Sequence, residues 1–334
     1  MSDSVRIGIV GLGRLGRRHA ENLAFRVAGA KLVAAASPVA EERAWAEKTL
    51  KGVTTYPGLT ELLDHPGLDA VWLVTPTSLH ADQVIQSIRA EKHVFCEKPL
   101  ALDPADCDRA IAAAAGYSGQ IVMIGFMRRF DLAYAEAKRR IEAAELGEVF
   151  AIRCVSEDPV DPSGFFVRFA PTSGGIFLDC CIHDIDLVRW MLDGAKPSSV
   201  AAVGSRILYP ALAECGDVDT ASATVSFTGG RIADFYVSRT SHRGYEASMT
   251  IVGSKATLDV GRAIPRLPLT LESDGRRSVA GQVDFFERFG DAFLHEAHAF
   301  VEAVRNGGPT PLSLEDAREA TRLACAMRAA LKVG

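Results

Sequence analysis

Apolar residues in the first third of the chain fall in short unbroken runs, near 5–10, 31–36, 70–74, 93–95 and 120–124. Runs of that length, bounded by Gly, Pro and polar residues, predict strands buried on both faces. Between them the apolar positions recur at helical spacing. Helices are predicted from near 17 toward 27 and over 40–50, 60–63, 81–90 and 104–115. Strand and helix in alternation predict a parallel sheet with helices on both faces. From residue 147 the texture changes. Period-two alternation marks strands near 149–155, 199–207, 220–227, 231–238, 247–252 and 256–260. Thr228-Gly229-Gly230 and Gly253-Ser254-Lys255 read as tight turns between neighbouring strands. Few helices interrupt this part, which predicts one antiparallel or mixed sheet. Residues 157–172 read as loop, 174–192 as one helix, and 286–306 and 314–331 as closing helices.

Composition adds limits. The chain has 334 residues, enough for two domains, with a net charge of −5 and 24% charged residues. No basic stripe marks a nucleic-acid footprint, and no apolar run approaches a membrane span. Seven cysteines, an odd number without a CxxC pair, argue against a disulfide framework and a structural zinc site. The first six residues carry no basic segment followed by a cleavage signal. These features together read as a reduced, cytoplasmic protein.

The first strand ends in Gly11-Leu12-Gly13-Arg14-Leu15-Gly16 and a helix follows. In that context Gly11 makes the tight turn, Gly13 admits a pyrophosphate to the backbone, and Gly16 lets helix and strand pack closely. The free N–H groups of the helix start then face the phosphates. The motif predicts a dinucleotide site. At the end of the second strand, where such folds place an acidic residue for the adenosine ribose, the chain has Ser37. With no carboxylate there and Arg14 and Arg43 nearby, the cofactor is NAD by default, with NADP or dual use open.

Ligands of a parallel sheet bind beyond the carboxyl ends of its strands. Those ends carry the Gly turn, then Thr75-Pro76 with His80, then Glu97-Lys98-Pro99, then Met127-Arg128. Lys98 follows a buried strand directly and is a site candidate. Pro99 is a candidate cis residue. His80 either reaches the nicotinamide side of the cofactor or caps the helix that begins there. In the second half, Asp179 and His183 lie four apart in the expected 174–192 helix, so a carboxylate can orient an imidazole one turn away. That makes His183 a candidate acid or base. Asp186 follows on a nearby face and reads as a structural partner. Metal binding by Asp179, His183 and Asp186 has no other support, and no metal is expected. His295 and His298 read as surface or packing residues.

The Gly11–Gly16 turn, Thr75-Pro76 with His80, Glu97-Lys98-Pro99 and Gly174-Gly175 with Asp179, His183 and Asp186 together resemble the glucose–fructose oxidoreductase / inositol dehydrogenase family. Residues 125–131 look like its inositol 2-dehydrogenase branch, and the likeness runs over nearly the whole chain. It implies an α/β protein, with an N-terminal Rossmann domain (1–124) and a C-terminal α/β domain (125–334) on a large open, mostly antiparallel sheet, the last helix free to pack back on the first domain. It also implies a homodimer or homotetramer. Lys98, Asp179 and His183 match the catalytic set, drawn from both domains. Gly11, Leu12, Gly13, Arg14, Leu15, Gly16, Ser37, Thr75, Pro76, His80, Glu97, Lys98, Met127 and Arg128 fall at cofactor positions. Lys98, Arg128, Asp158, Asp179, His183 and Tyr245 fall at substrate positions. The implied reaction moves a hydride between a nicotinamide cofactor and a secondary hydroxyl of a cyclic polyol, an inositol first. A sugar, glucoside or anhydrosugar dehydrogenase, a keto-sugar reductase, and a non-catalytic dinucleotide sensor stay open. Ser37 departs from the family's acidic residue, and the Phe-bearing segment 161–172 leaves the exact polyol undefined.

Overall fold

The computed structural model describes residues 4–261, 270–273, 276–279, 284–310 and 312–334. The chain divides into two compact units, one of residues 1–127 with 291–321, the other of 128–290 with 322–334.

The first unit is built on six strands: β1 (Val5–Val10), β2 (Ala30–Ala36), β3 (Thr54–Tyr56), β4 (Ala70–Leu73), β5 (His93–Glu97) and β6 (Val122–Gly125). Their order is β3-β2-β1-β4-β5-β6, with every neighbouring pair parallel. The crossovers are the helices α1 (Arg14–Phe25), α2 (Ala40–Thr49), α3 (Leu59–Leu63), α4 (His80–Arg89) and α5 (Pro104–Ala115). This is the doubly wound order, in which the succession of strands changes direction between β1 and β4 and opens a crevice for a dinucleotide. The central strands are largely apolar because helices cover both faces: Ile7, Ile9, Ala70, Val71, Trp72, Leu73, Val94 and Phe95 are all buried. Trp72 stacks on Phe95 at 3.6 Å, and Phe300 meets both rings edge-on.

The second unit opens with α6 (Leu132–Glu142) and β7 (Val149–Pro159), followed by α7 (Phe165–Ser173), α8 (Ile176–Asp179) and α9 (Ile182–Met191). Strands β8 (Pro197–Ser205), β9 (Thr220–Phe227), β10 (Arg231–Ser241), β11 (Glu246–Gly253) and β12 (Thr257–Val260) follow. A separate hairpin, β13 (Thr270–Ser273) with β14 (Arg276–Val279), precedes α10 (Phe285–Asn306), which kinks at Phe289. The chain ends in α11 (Leu314–Ala330) and β15 (Leu331–Val333). The large sheet runs β12-β11-β7-β10-β9-β8-β15. It is mixed: β7–β10 and β8–β15 are parallel and the other neighbours antiparallel. Alternation decides its faces. Ala233, Phe235 and Val237 point to the core, while Ile232 and Tyr236 on the same strand face outward.

Three local expectations change. The single helix over 174–192 is two pieces. Gly174 and Gly175 have φ of 81° and 87°, outside helical space, so α8 starts only at Ile176. The hydrogen-bond ladder then slips, with Cys181 N–H donating to the Ile176 carbonyl five residues back, before α9 resumes. The expected loop 157–172 is partly ordered: β7 runs on to Pro159 and α7 follows, set by Asp161, whose carboxylate accepts from the Ser163 and Phe166 N–H groups. Lastly, the closing helix gives way at Leu331 to an edge strand paired with Ala202–Gly204 of β8.

Candidate active site

The Gly turn of the first unit leaves room where a phosphate would lie and none where chain packs on chain. A Cβ at Gly11 (φ 93°) would stand 2.2 Å from the Val74 carbonyl oxygen, and one at Gly16 would stand 2.0 Å from that of Gly11. At Gly13 the nearest atom is Glu42 Oε1, 3.9 Å away. Helix α1 begins directly at Arg14, with no acidic residue in its first turn and no side-chain cap. Its first intrahelical bond is donated by Arg17 N–H to the Gly13 carbonyl, which leaves the preceding N–H groups to an anion. The cradle therefore fits a pyrophosphate.

Ser37 is buried at the end of β2, and its surroundings correct the expectation that no carboxylate stands there. The Ser37 hydroxyl donates to Glu42 Oε2 at 2.5 Å, while Arg43 Nη1 donates to the Ser37 carbonyl at 2.7 Å. The first turn of α2 folds Glu42 back onto the strand end, five residues after the position where an acid is usual. Of the two arginines that could serve a 2′-phosphate, Arg43 holds backbone instead.

The remaining strand ends are tied to each other. The His80 ring is buried, with Nδ1 2.7 Å from the Pro99 carbonyl oxygen and Nε2 2.8 Å from that of Thr75. Burial lowers its pKa against the pull of those two carbonyls. His80 is the first residue of α4 and makes no side-chain cap, so its ring joins the Thr75 loop to the turn after β5. The Thr75 hydroxyl donates to Gln83. The Lys98–Pro99 peptide is cis. The Lys98 N–H donates to Glu97 Oε2 at 3.1 Å, and Glu97 Oε1 lies 2.8 Å from His19 Nε2. Glu97 thus holds Lys98 by its backbone and is itself buried. Met127 is buried where β6 leads into a single 3-10 turn.

In the second unit Arg128 is buried and committed to neighbours of its own unit. Its Nη1 donates to Asp184 at 2.6 Å and to Ser156 at 3.1 Å, and its Nη2 donates to the Tyr245 hydroxyl at 3.1 Å. Ser156 in turn donates to the other Asp184 oxygen. Arg129 grips Asp186 through two bonds of 2.8 and 2.6 Å, so Asp186 is the structural partner that the sequence suggests. Burial, with Asp158 nearby, holds the Tyr245 hydroxyl up at about 12, so it stays a donor. His183 is buried in the first turn of α9.

Asp179 closes α8, half-exposed, and accepts from Arg239 Nη2 at 3.1 Å. Arg239 is fully buried, and its Nη1 donates to Asp217 at 2.8 Å. Asp217 also accepts the Ile176 N–H at 2.8 Å, which fixes the start of α8. One chain of bonds therefore runs from that helix start through Asp217 and Arg239 to Asp179. The Arg239 guanidinium sits over the Phe166 ring, so α7 belongs to this assembly. The Cys180 thiol donates weakly to Asp158 at 3.4 Å. Burial first, and Asp179 second, raise the pKa of the Asp158 carboxyl. Arg128, Asp158, Asp179 and Tyr245 thus share one polar neighbourhood of the second unit.

Sequence reading passed over Glu42, Asp184, Asp217 and Arg239. One signal was available for Arg239: alternation along β10 puts it in phase with Ala233, Phe235 and Val237, and a charge at an inward position demands a partner.

A dinucleotide cradle on a doubly wound sheet, followed by a polar floor on a large mixed sheet, defines a dinucleotide-dependent oxidoreductase. The chain belongs to the GFO/IDH/MocA oxidoreductase family. Residues 5–126 match the family's NAD-binding Rossmann fold, and residues 134–259 match the GFO/IDH/MocA C-terminal domain. A scyllo-inositol 2-dehydrogenase (NAD(+)) of Bacillus subtilis is 38% identical over 93% of this chain and 89% of its own length. A myo-inositol 2-dehydrogenase of Thermotoga maritima is 35% identical over 98% of this chain and 96% of its own. Among solved structures, scyllo-inositol dehydrogenase of Lactobacillus casei with bound NAD(H) and scyllo-inositol superposes with a TM-score of 0.93 at 35% identity, covering 98% of this chain and 97% of that one.

Proposed function

We propose that this protein is an NAD-dependent inositol dehydrogenase that oxidises a ring CH–OH to a ketone. The observation that carries the reading is the full-length likeness to a protein whose structure holds NAD(H) and scyllo-inositol. Relatives named for both scyllo- and myo-inositol support the substrate class.

In this reading His183 takes the proton of the hydroxyl being oxidised. Asp179, itself fixed by Arg239, offsets the charge that the imidazole gains. Lys98 donates a hydrogen bond to the substrate oxygen as negative charge develops on it. Bound nicotinamide supplies the hydride acceptor. Residues 11–16 hold the pyrophosphate, with Thr75, Pro76, His80, Glu97 and Met127 ordering the strand ends around the cofactor, while Arg128 holds Asp184 and Tyr245 in the second unit. Asp158 and Tyr245 meet the remaining polyol hydroxyls, and burial suits both to donate. The Glu42 carboxylate accepts from an adenosine ribose hydroxyl and repels a 2′-phosphate, which favours NAD over NADP. The outward sheet face, with exposed Phe150, Val203, Ile232 and Tyr236, supports a homo-oligomer. The seven free thiols support a cytoplasmic location. Among the described residues no helix is long and apolar enough to cross a membrane.

The test is NAD reduction followed by nicotinamide absorbance with myo-inositol, scyllo-inositol, glucose and a glucoside. The inositols are expected to give the highest kcat/KM. Turnover of a sugar with none of any inositol would refute the substrate assignment.

A further inference from the structure

Among the described residues, one buried polar cluster joins Glu97 to two groups given no role so far. It comprises His19 on α1, Glu97 at the end of β5 and Glu296 on α10, whose ligand-type atoms all lie within 4.8 Å of one another. Glu296 is fully buried, and neither of its carboxylate oxygens has a hydrogen-bond partner. Glu97 is engaged on both oxygens, by His19 Nε2 at 2.8 Å and by the Lys98 N–H at 3.1 Å. The His19 ring is packed against Trp72, Phe95 and Phe293. On the far side of Glu97, a side chain at Gly125 would come within 3.2 Å of its Oε1. Glu97 is held by these two bonds, and a Glu296 carboxylate oxygen lies within 4.8 Å of it.

Two ionised carboxylates cannot share that space without a cation, because each would forfeit its hydration and repel the other. Among the described residues no arginine or lysine side chain bonds Glu97 or Glu296, unlike Asp184, Asp186 and Asp217 of the second unit. We propose that Glu296 is a neutral carboxylic acid that shares its proton with Glu97, and that this pair is the positioning device for Lys98. Glu296 donates its O–H to Glu97, and Glu97 remains free to receive the Lys98 N–H and to set the backbone from which the Lys98 side chain leaves. Burial, then the nearby Glu97, keep the Glu296 acid well above the usual carboxylate range. A divalent ion on the same three residues is the rival occupant. The proton is favoured because His19, Glu97 and Glu296 are all closed off from solvent, and a proton needs no coordination sphere. The role given to Lys98 rests on the dehydrogenase reading; the shared proton does not.

The test uses the full chain and three readouts. Infrared spectroscopy at neutral pH should show the C=O stretch of a protonated carboxyl that disappears in Glu296→Gln. The titratable groups facing Glu296 are His19 from α1 and Glu97 from β5. Folded Glu296 keeps a proton that the unfolded chain releases above about pH 4.3, so the folding equilibrium of the wild type should weaken up to tenfold per pH unit above that point. Glu296→Gln should lack this slope. In turnover, Glu296→Gln keeps a donor toward Glu97 and should stay near wild type. Glu296→Leu removes the donor, and its kcat should fall on the order of 100-fold, with NAD affinity much less changed. Equal spectra for wild type and Glu296→Gln, equal loss of turnover in both variants, or one equivalent of divalent metal lost on Glu296→Gln would each overturn the proposal. A normal infrared signal beside an unimpaired Lys98→Met enzyme would instead refute the catalytic role of Lys98 and leave the proton pair standing.

Discussion

The two units bury their carboxyl groups in opposite ways. In the second, three buried acids are matched by arginine: Asp184 by Arg128, Asp186 by Arg129, and Asp217 by Arg239, which also meets Asp179, while buried Asp219 is held by backbone N–H groups. In the first, Glu97 and Glu296 face each other with a histidine and no guanidinium. Charge inside a low-dielectric interior has to be matched or removed. Arginine matching gives a buried carboxylate its hydrogen bonds and aims it. Neutralisation by a shared proton keeps the core of a dinucleotide-binding sheet apolar while still holding a backbone turn. The same side-chain type thus serves as a charge in one unit and as a hydrogen-bond donor in the other.

Three measurements bear on this contrast. The largest effect is expected from His183→Ala, which should lower kcat by roughly 10²–10⁴-fold while NAD titration by fluorescence is nearly unchanged. Normal turnover would remove the second unit's floor from the chemistry. Next, Asp184→Ala leaves the buried Arg128 charge unmatched and should cost about 3–5 kcal/mol of stability by urea unfolding. Asp184→Ala combined with Arg128→Met should recover part of that loss. Strict additivity would mean that the pair is not coupled and that arginine matching is not what holds this floor. The smallest effect concerns Glu42→Gln, which removes a carboxylate without changing shape. The ratio of NADP to NAD affinity should rise on the order of tenfold, worth about 1.4 kcal/mol. An unchanged ratio would return cofactor choice to Ser37 and the arginines.

Much of the fold was readable because burial imposes a period. The runs at 5–10, 70–74 and 93–95 became β1, β4 and β5, since a strand covered on both faces has few polar positions, here Arg6, His93 and Glu97 near the strand ends. Residues 231–238 and 247–252 were found by alternation, since one face of their sheet is open. The break between α8 and α9 was harder to read. Two glycines preceding an apolar helical pattern look like a cap, and the slipped bond at Cys181 has no composition signal. The segment 161–172 carries loop residues because its helix, α7, is short and starts from an Asp161 turn.

The chemistry divides along the same line. Sequence alone located the Gly11–Gly16 turn, and it offered Lys98 after its strand and the Asp179 and His183 pair as candidates from local patterns, although the helix expected to carry that pair breaks between them. It also paired Asp186 with structure rather than reaction. Tertiary structure decided what touches across long separations. It brought Glu42 back to Ser37, so that the missing acid of β2 was supplied from α2. It carried Arg239 from β10 to Asp179, and Asp217 to the head of α8. It set Glu296, which in the chain sits between two unremarkable histidines, opposite Glu97, nearly two hundred residues earlier. A one-dimensional pattern records which side of an element is buried. Which charge meets which inside that burial depends on how helices and strands distant in sequence pack together, and only the folded chain fixes that.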